Sequence, residues 1–186
     1  MKNQKFWSPK APRNSARRPP PPSQGESPSS LGLVWRFVED LEARLETIRK
    51  WEERWNEDNG KAKWTKKLIK SIPNWIGRKF GEVNYFITQF HSGHGVFKAY
   101  LFKIGKKVNS ECSYCGDVLD NAEHAILKCN RWIREKLTLE LELNENLNSE
   151  NIIKLMLVNK DNWNKISDYI IKIMKQRGND EIAGHL

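Results

Sequence analysis

All three cysteines of this 186-residue chain fall, with one of its four histidines, into a single cluster, Cys112-x2-Cys115-x8-His124-x4-Cys129. No other feature constrains the fold as much, because donors on separate turns of chain have to converge on one point if they act together. Three thiolates and a neutral imidazole suit one tetrahedral Zn2+ ion, and four protein ligands mark a structural site with no position left for water or substrate. The spacing of Cys112 and Cys115 lets one tight turn aim two sulfurs inward, and Gly116 behind them tolerates positive φ. Asp120 followed by Glu123 has the form of a capping box, which sets His124 in the first turn of a helix through Ala125, Ile126 and Leu127. Cys129 comes five residues after His124, about 140° around an α-helix, so the helix has to bend or end there. Three unrelated buried cysteines and a surface histidine are the plainer alternative. Against it, no cysteine lies outside the cluster.

The length allows one modest domain with a tail, and a hydrophobic core beside the metal site. No apolar run reaches the roughly 18 residues of a membrane span, and the N-terminus has charge and proline where a signal peptide needs apolar residues. An odd number of cysteines in a metal-type cluster argues against a disulfide framework. The expectation is therefore a soluble intracellular protein, nuclear in preference to cytosolic, with no membrane partner.

The net charge of +9 is unevenly spread: +5 over residues 1–30, −3 over 31–60, +10 over 61–110 and −3 over 111–186. The third block sets eleven bases (Lys61, Lys63, Lys66, Lys67, Lys70, Arg78, Lys79, Lys98, Lys103, Lys106 and Lys107) against one acid, Glu82. Self-repulsion of that size favours a polyanionic partner, RNA or single-stranded DNA. Tyr114, Lys128 and Arg131 on and beside the ligand loop join those bases as candidate nucleic-acid contacts. Tyr114, at the tip of the knuckle, can stack on an unpaired base or pack against its own loop.

Residues 1–30 are rich in Pro, Ser and Arg and read as a disordered basic arm; the run Pro19 to Pro22 fits a linker better than an SH3-type ligand. Residues 31–110 form a helical domain carrying the basic block. Val34, Phe37, Leu41, Leu45, Ile48, Trp51 and Trp55 recur with helical spacing and predict a long amphipathic helix. Shorter helices follow around Trp64 and Leu68, from Pro73 through Ile76, from Val83 to Phe90, and from Phe97 to Ile104. The spacing of His91 and His94 would suit a second metal pair, but Gly93 and Gly95 make a helix-ending turn the better reading. Residues 111–135 hold the zinc knuckle, where a short hairpin is the one place for β structure. In 136–177 the Trp132, Ile133 and Leu137 pattern runs on, Ser149 caps a helix with Ile152, Ile153, Met156 and Leu157, and Asp161 caps another with Trp163, Ile166, Ile170, Ile173 and Met174. Residues 178–186 should fray. Trp55, Trp64, Trp75 and Trp163 sit on helix faces and are assigned to packing. The fold class is all-α: a small helical domain with an embedded CCHC zinc-knuckle loop and a disordered N-terminal arm.

Several stretches together resemble a known family: Trp64-Thr65, Gly81 to Phe90, Ser92 to Phe97 with Tyr100-Leu101, the cluster Cys112, Cys115, Glu123-His124 and Cys129 with Arg131-Trp132, and Glu150 to Leu157. The chain from about Leu33 to Lys175 is similar to the C-terminal region of reverse transcriptase polyproteins from insect non-LTR (LINE-like) retrotransposons. The resemblance implies that Cys112, Cys115, His124 and Cys129 are zinc ligands in a module handling element RNA and target DNA, downstream of a polymerase domain. That domain is a further implied partner. The parent family is an RNA-directed DNA polymerase, but this chain has no adjacent aspartates to hold catalytic metal ions and no room for an endonuclease. The expected function is zinc-dependent nucleic-acid binding without catalysis. The alternatives are a protein-interaction domain with a purely structural zinc, motivated by the acidic, Trp-rich helix of residues 33–58, and a degenerate transposon fragment.

Overall fold

The computed structural model describes residues 30–57 and 60–184. The described chain is helical and has no strand, so the knuckle does not register as a β-hairpin. Its α-helices are α1 (Ser30–Asn56), α2 (Lys63–Leu68), α3 (Ile72–Gly77), α4 (Tyr85–Ser92), α5 (Lys98–Lys103), α6 (Ile133–Leu143), α7 (Ile152–Met156) and α8 (Lys160–Ile182). No described helix is long and apolar enough to cross a membrane. The arm expected at residues 1–30 lies, apart from Ser30, outside the described residues.

The chain divides into two units, Met1–Glu42 and Ala43–Leu186. In the first, Leu33, Val34, Trp35, Phe37 and Leu41 on α1 are 45–70% exposed. In the second, α8 is the central element, packing against α4, α6 and α7, while α2 packs on α4. Its residues Trp163, Ile166, Ile170, Ile173 and Met174 are buried at three- and four-residue spacings, which places them on one helical face. Ile87 and Phe90 of α4, Ile152 and Met156 of α7, and Leu139 of α6 complete the core. Each such side chain contributes about 1.5–3 kcal/mol through burial. Trp163 is buried, whereas Trp55, Trp64 and Trp75 are partly buried against this core.

Local chemistry sets the helix ends. Ser71 caps α3, with Pro73 in the first turn. Asn84 Oδ1 accepts from the N–H groups of Phe86 and Ile87, both at 3.0 Å, to start α4, and Gly93 at φ 70° closes it. Two other caps are not the residues expected. Ser149 is buried with its Oγ 3.5 Å from Glu123, and the neighbouring Asn148 accepts from the N–H groups of Glu150 and Asn151 instead. Asn159, not Asp161, caps α8 by accepting from Asn162 N at 2.8 Å, and Asp161 pairs with Lys165 inside the first turn. Where Asn, Ser and Asp stand within a few residues, each has capping chemistry, and tertiary contacts select one.

Two further expectations are corrected. Ile133 and Leu137 are 45% and 51% exposed, and α6 turns Leu139 into the core beside Trp132, because a 3-10 turn over Asn130–Trp132 changes the phase before the helix starts. The chain is also helical beyond residue 178. Asp180 accepts from Tyr114 Oη at 2.6 Å and Glu181 pairs with Lys107 at 2.9 Å, tying the last turns of α8 down.

Candidate metal centre

The four clustered side chains meet in space: one ligand atom from each of Cys112, Cys115, His124 and Cys129 can be chosen so that all lie within 4.8 Å of one another. Cys112 Sγ and Cys115 Sγ each lie 3.8 Å from Cys129 Sγ, and Cys115 Sγ is 3.3 Å from His124 Nε2. A metal with sulfur arms of about 2.3 Å needs tetrahedral S···S edges of about 3.8 Å. A disulfide would need about 2.05 Å. The donors therefore have the spacing for one tetrahedral ion between them. Cys112, His124 and Cys129 are buried while Cys115 is exposed, which leaves one edge open as an entry path.

The local fold explains the convergence. Gly116 N donates to Cys112 O at 2.8 Å and Cys112 N to Asp117 O at 2.7 Å, closing the knuckle, with Gly116 at φ 76°. The second half solves the five-residue problem with a π-helical turn, His124–Lys128, in which Cys129 N donates to His124 O at 2.8 Å. A hydrogen bond from i+5 to i stacks those two residues on one side, as i+4 to i does in an α-helix. Asp120 is not the cap of this turn. Asn121 Oδ1 accepts from His124 N at 2.8 Å, and Glu123 binds Lys67 and Lys128.

The electrostatics favour a thiolate at Cys112, with Cys129 as its hydrogen-bonding thiol. The hydrogen bond with Cys129 brings the Cys112 thiol down to about 4 against the effect of burial, helped by the N–H groups of Tyr114 and Cys115. The Cys129 thiol is pushed up by that same neighbour and by burial. Asp117 Oδ2 lies 3.4 Å from His124 Nδ1, the position from which a carboxylate orients an imidazole whose Nε2 faces the ligand point.

Behind the knuckle, Asp120 and Arg177 form an ion pair, each 1% exposed. Asp120 Oδ2 also accepts from Lys98 N at 3.1 Å, and the Arg177 guanidinium reaches Val96 O and lies over the Tyr114 ring at 5.5 Å. Burial raises the Asp120 carboxyl against the pull of Arg177. The pairing of Asp120 with Arg177 had no spacing signal in the sequence, because the two stand 57 residues apart, and Asp117 lies outside the Cys/His pattern.

The candidate nucleic-acid contacts separate into groups. Lys67, Lys70, Lys107 and Lys128 are paired with Glu123, Glu150, Glu181 and Glu123 respectively. Lys66 donates to Glu57 O at 2.6 Å, Lys98 to Ser113 Oγ at 2.7 Å, and Arg131 lies over Trp132 at 4.7 Å. Arg78 is spent on packing: it lies over Trp75 and Trp163 and donates to the carbonyls of Trp75 and Gly81. Lys61 is exposed before α2. Lys63, Lys79, Lys103 and Lys106 are exposed and have no ion pair among the described residues. Tyr114 is turned inward, edge-on to Trp132 at 5.5 Å, so its ring packs within the fold and is not offered at an exposed tip. His91 is buried edge-on to Trp75 at 5.0 Å, whereas His94 is exposed on Tyr100, so the two imidazoles sit in different surroundings.

The chain is 26% identical over 128 residues, 68% of its length, to a retrovirus-related Pol polyprotein from type-1 retrotransposable element R1 2 of Nasonia vitripennis. The match covers 30% of that polyprotein. No family model and no solved structure matches the chain. This distant similarity falls on the class of polyprotein to which the motifs pointed.

Proposed function

We propose that this chain is a zinc-dependent nucleic-acid-binding module for RNA or single-stranded DNA, working in the nucleus. Cys112, Cys115, His124 and Cys129 would hold one Zn2+, whose contribution is to cross-link the knuckle and not to activate water, since four protein donors close the coordination shell. Soft sulfur donors with one imidazole favour Zn2+ over Mg2+ or Ca2+. The observation that carries the binding role is the +10 block at 61–110, in which Lys63, Lys79, Lys103 and Lys106 have no carboxylate partner among the described residues. The similarity to a retrotransposon Pol polyprotein supports the same reading. In the test, zinc-loaded and zinc-stripped protein is titrated against single-stranded RNA and DNA at several salt concentrations. Affinity should fall steeply with salt through counterion release. Salt-independent binding, or no binding, would overturn the proposal.

A second reading has its own support in the exposed apolar side chains Leu33, Val34, Trp35, Phe37 and Leu41 of α1. It makes this segment a docking surface for another protein, such as a reverse transcriptase polymerase domain. Titration of the full chain against that domain from the Nasonia polyprotein would test it, with failure to associate removing the reading.

A further inference from the structure

An open pocket of about 390 Å³ lies between α2, the turn after α4, α5 and the start of the π-helical turn. Its walls include Lys63, Trp64, His94, Tyr100 and Lys103. We propose that this pocket receives one unpaired nucleobase with its adjoining phosphates, the His94 ring providing the stacking face and Lys63 and Lys103 the phosphate contacts. The proposal rests on the nucleic-acid reading and adds to it a single place where a base is held.

Three observations support it. The first is the ring geometry. His94 is exposed and lies on Tyr100 with centroids 4.4 Å apart and planes 28° apart, so one flat face is braced from behind while the side chain remains open to solvent. A base stacks on such a face whatever its identity.

The second is that the ring is held in place. His94 stands in a turn between Gly93 at φ 70° and Gly95 at φ 104°. Its N–H donates to Ser92 Oγ at 3.3 Å, and Val96 N donates to Gln89 Oε1 at 3.2 Å. A side chain on Gly95 would collide with that Gln89 amide, so the turn packs closely on Gln89 only with glycine there. Trp64 is fixed by donating Nε1–H to Phe90 O at 2.6 Å.

The third is charge. The carboxylate lining the pocket, Glu123, already binds Lys67 and Lys128, each at 3.0 Å. Lys63 and Lys103 therefore line the pocket with no acid paired to them among the described residues.

The experiment uses the full zinc-loaded chain with oligo(U) RNA carrying 4-thiouridine, and in a parallel arm oligo(dT) carrying 4-thiothymidine. Ultraviolet cross-linking followed by peptide mapping should place the cross-link on the peptide containing His94 or Tyr100. His94→Ala should weaken binding about 5- to 150-fold by removing one stacked base, with the salt slope unchanged. His94→Phe, which restores a flat ring, should recover most of that loss. Neutralising both Lys63→Gln and Lys103→Gln should lower the log–log salt slope by about 1.4, the value for two phosphate contacts on a single strand. Preference between the RNA and DNA arms identifies the source of the base, and either arm supports the pocket. If wild-type protein binds with the expected salt dependence but His94→Ala and His94→Phe both bind within twofold of it, or the cross-links map elsewhere, the pocket proposal fails while the wider reading stands. If wild-type protein binds neither strand, both fall.

Discussion

Removing Arg177 tests whether the knuckle and the C-terminal helix form one folding unit. Arg177→Met keeps most of the side-chain volume but leaves Asp120, 1% exposed, with a single remaining donor in Lys98 N. Breaking one side of a buried pair costs about 3–5 kcal/mol, because the surviving charge has lost its counter-ion and is shielded from water. Asp120 Oδ1 has no hydrogen-bond partner even with the arginine in place, so no other donor stands beside it to compensate. For a unit of this size each kcal/mol shifts Tm by about 2–4 °C, so the variant should melt about 6–20 °C lower. Asp120→Asn combined with Arg177→Met removes both charges, and should recover a substantial part of the loss. Thermal and urea melts of wild type, both single variants and the double complete the cycle. A single variant within 1 kcal/mol of wild type, or strictly additive effects, would refute the argument that this pair joins the two parts.

Other perturbations follow from the same packing. Gly81→Ala places a methyl inside the Trp163 indole at a residue with φ 82°, and should cost about 2–5 kcal/mol in a urea melt. Ile170→Ala empties a fully buried position on α8 and should cost about 2–5 kcal/mol by the same measurement. His91 is held down to about 4, first by burial and then by Arg78, so between about 6.5 and 4 the unfolded chain takes up a proton that the folded one refuses. Stability should then fall as pH drops through that window, by about 3 kcal/mol from this group, and His91→Phe should flatten the pH profile by that amount relative to wild type.

The convergence of the four candidate ligands was legible because Cys–Cys spacing is local chemistry: a two-residue gap and a following glycine suffice to aim sulfurs at one point. The five-residue step from His124 to Cys129 announced a departure from α geometry, and the π-helical turn is its solution. The apolar face of α8 was equally clear, since Trp163, Ile166, Ile170, Ile173 and Met174 follow helical periodicity. Asp120 was misread because its local pattern suits a cap, while a partner 57 residues away claims the side chain. Arg78 was read as a nucleic-acid contact and Tyr114 as either a stacking face or a packing ring; the contacts of Arg78 with two indoles and of Tyr114 with Trp132 and Arg177 arise only once distant helices meet. The phase of α6 was hidden for a different reason, since the 3-10 turn before it rotates the register without changing composition.

The centre itself is tested most directly by metal content and coordination. Protein purified under reducing conditions, without added chelator, is weighed by native mass spectrometry, and its zinc edge is examined by X-ray absorption. One Zn2+ per chain is expected, with three sulfurs at about 2.3 Å and one nitrogen at about 2.0–2.1 Å, and Cys112→Ser should lower that occupancy. A chain that carries no metal, or a shell with fewer than three sulfurs, would contradict the account.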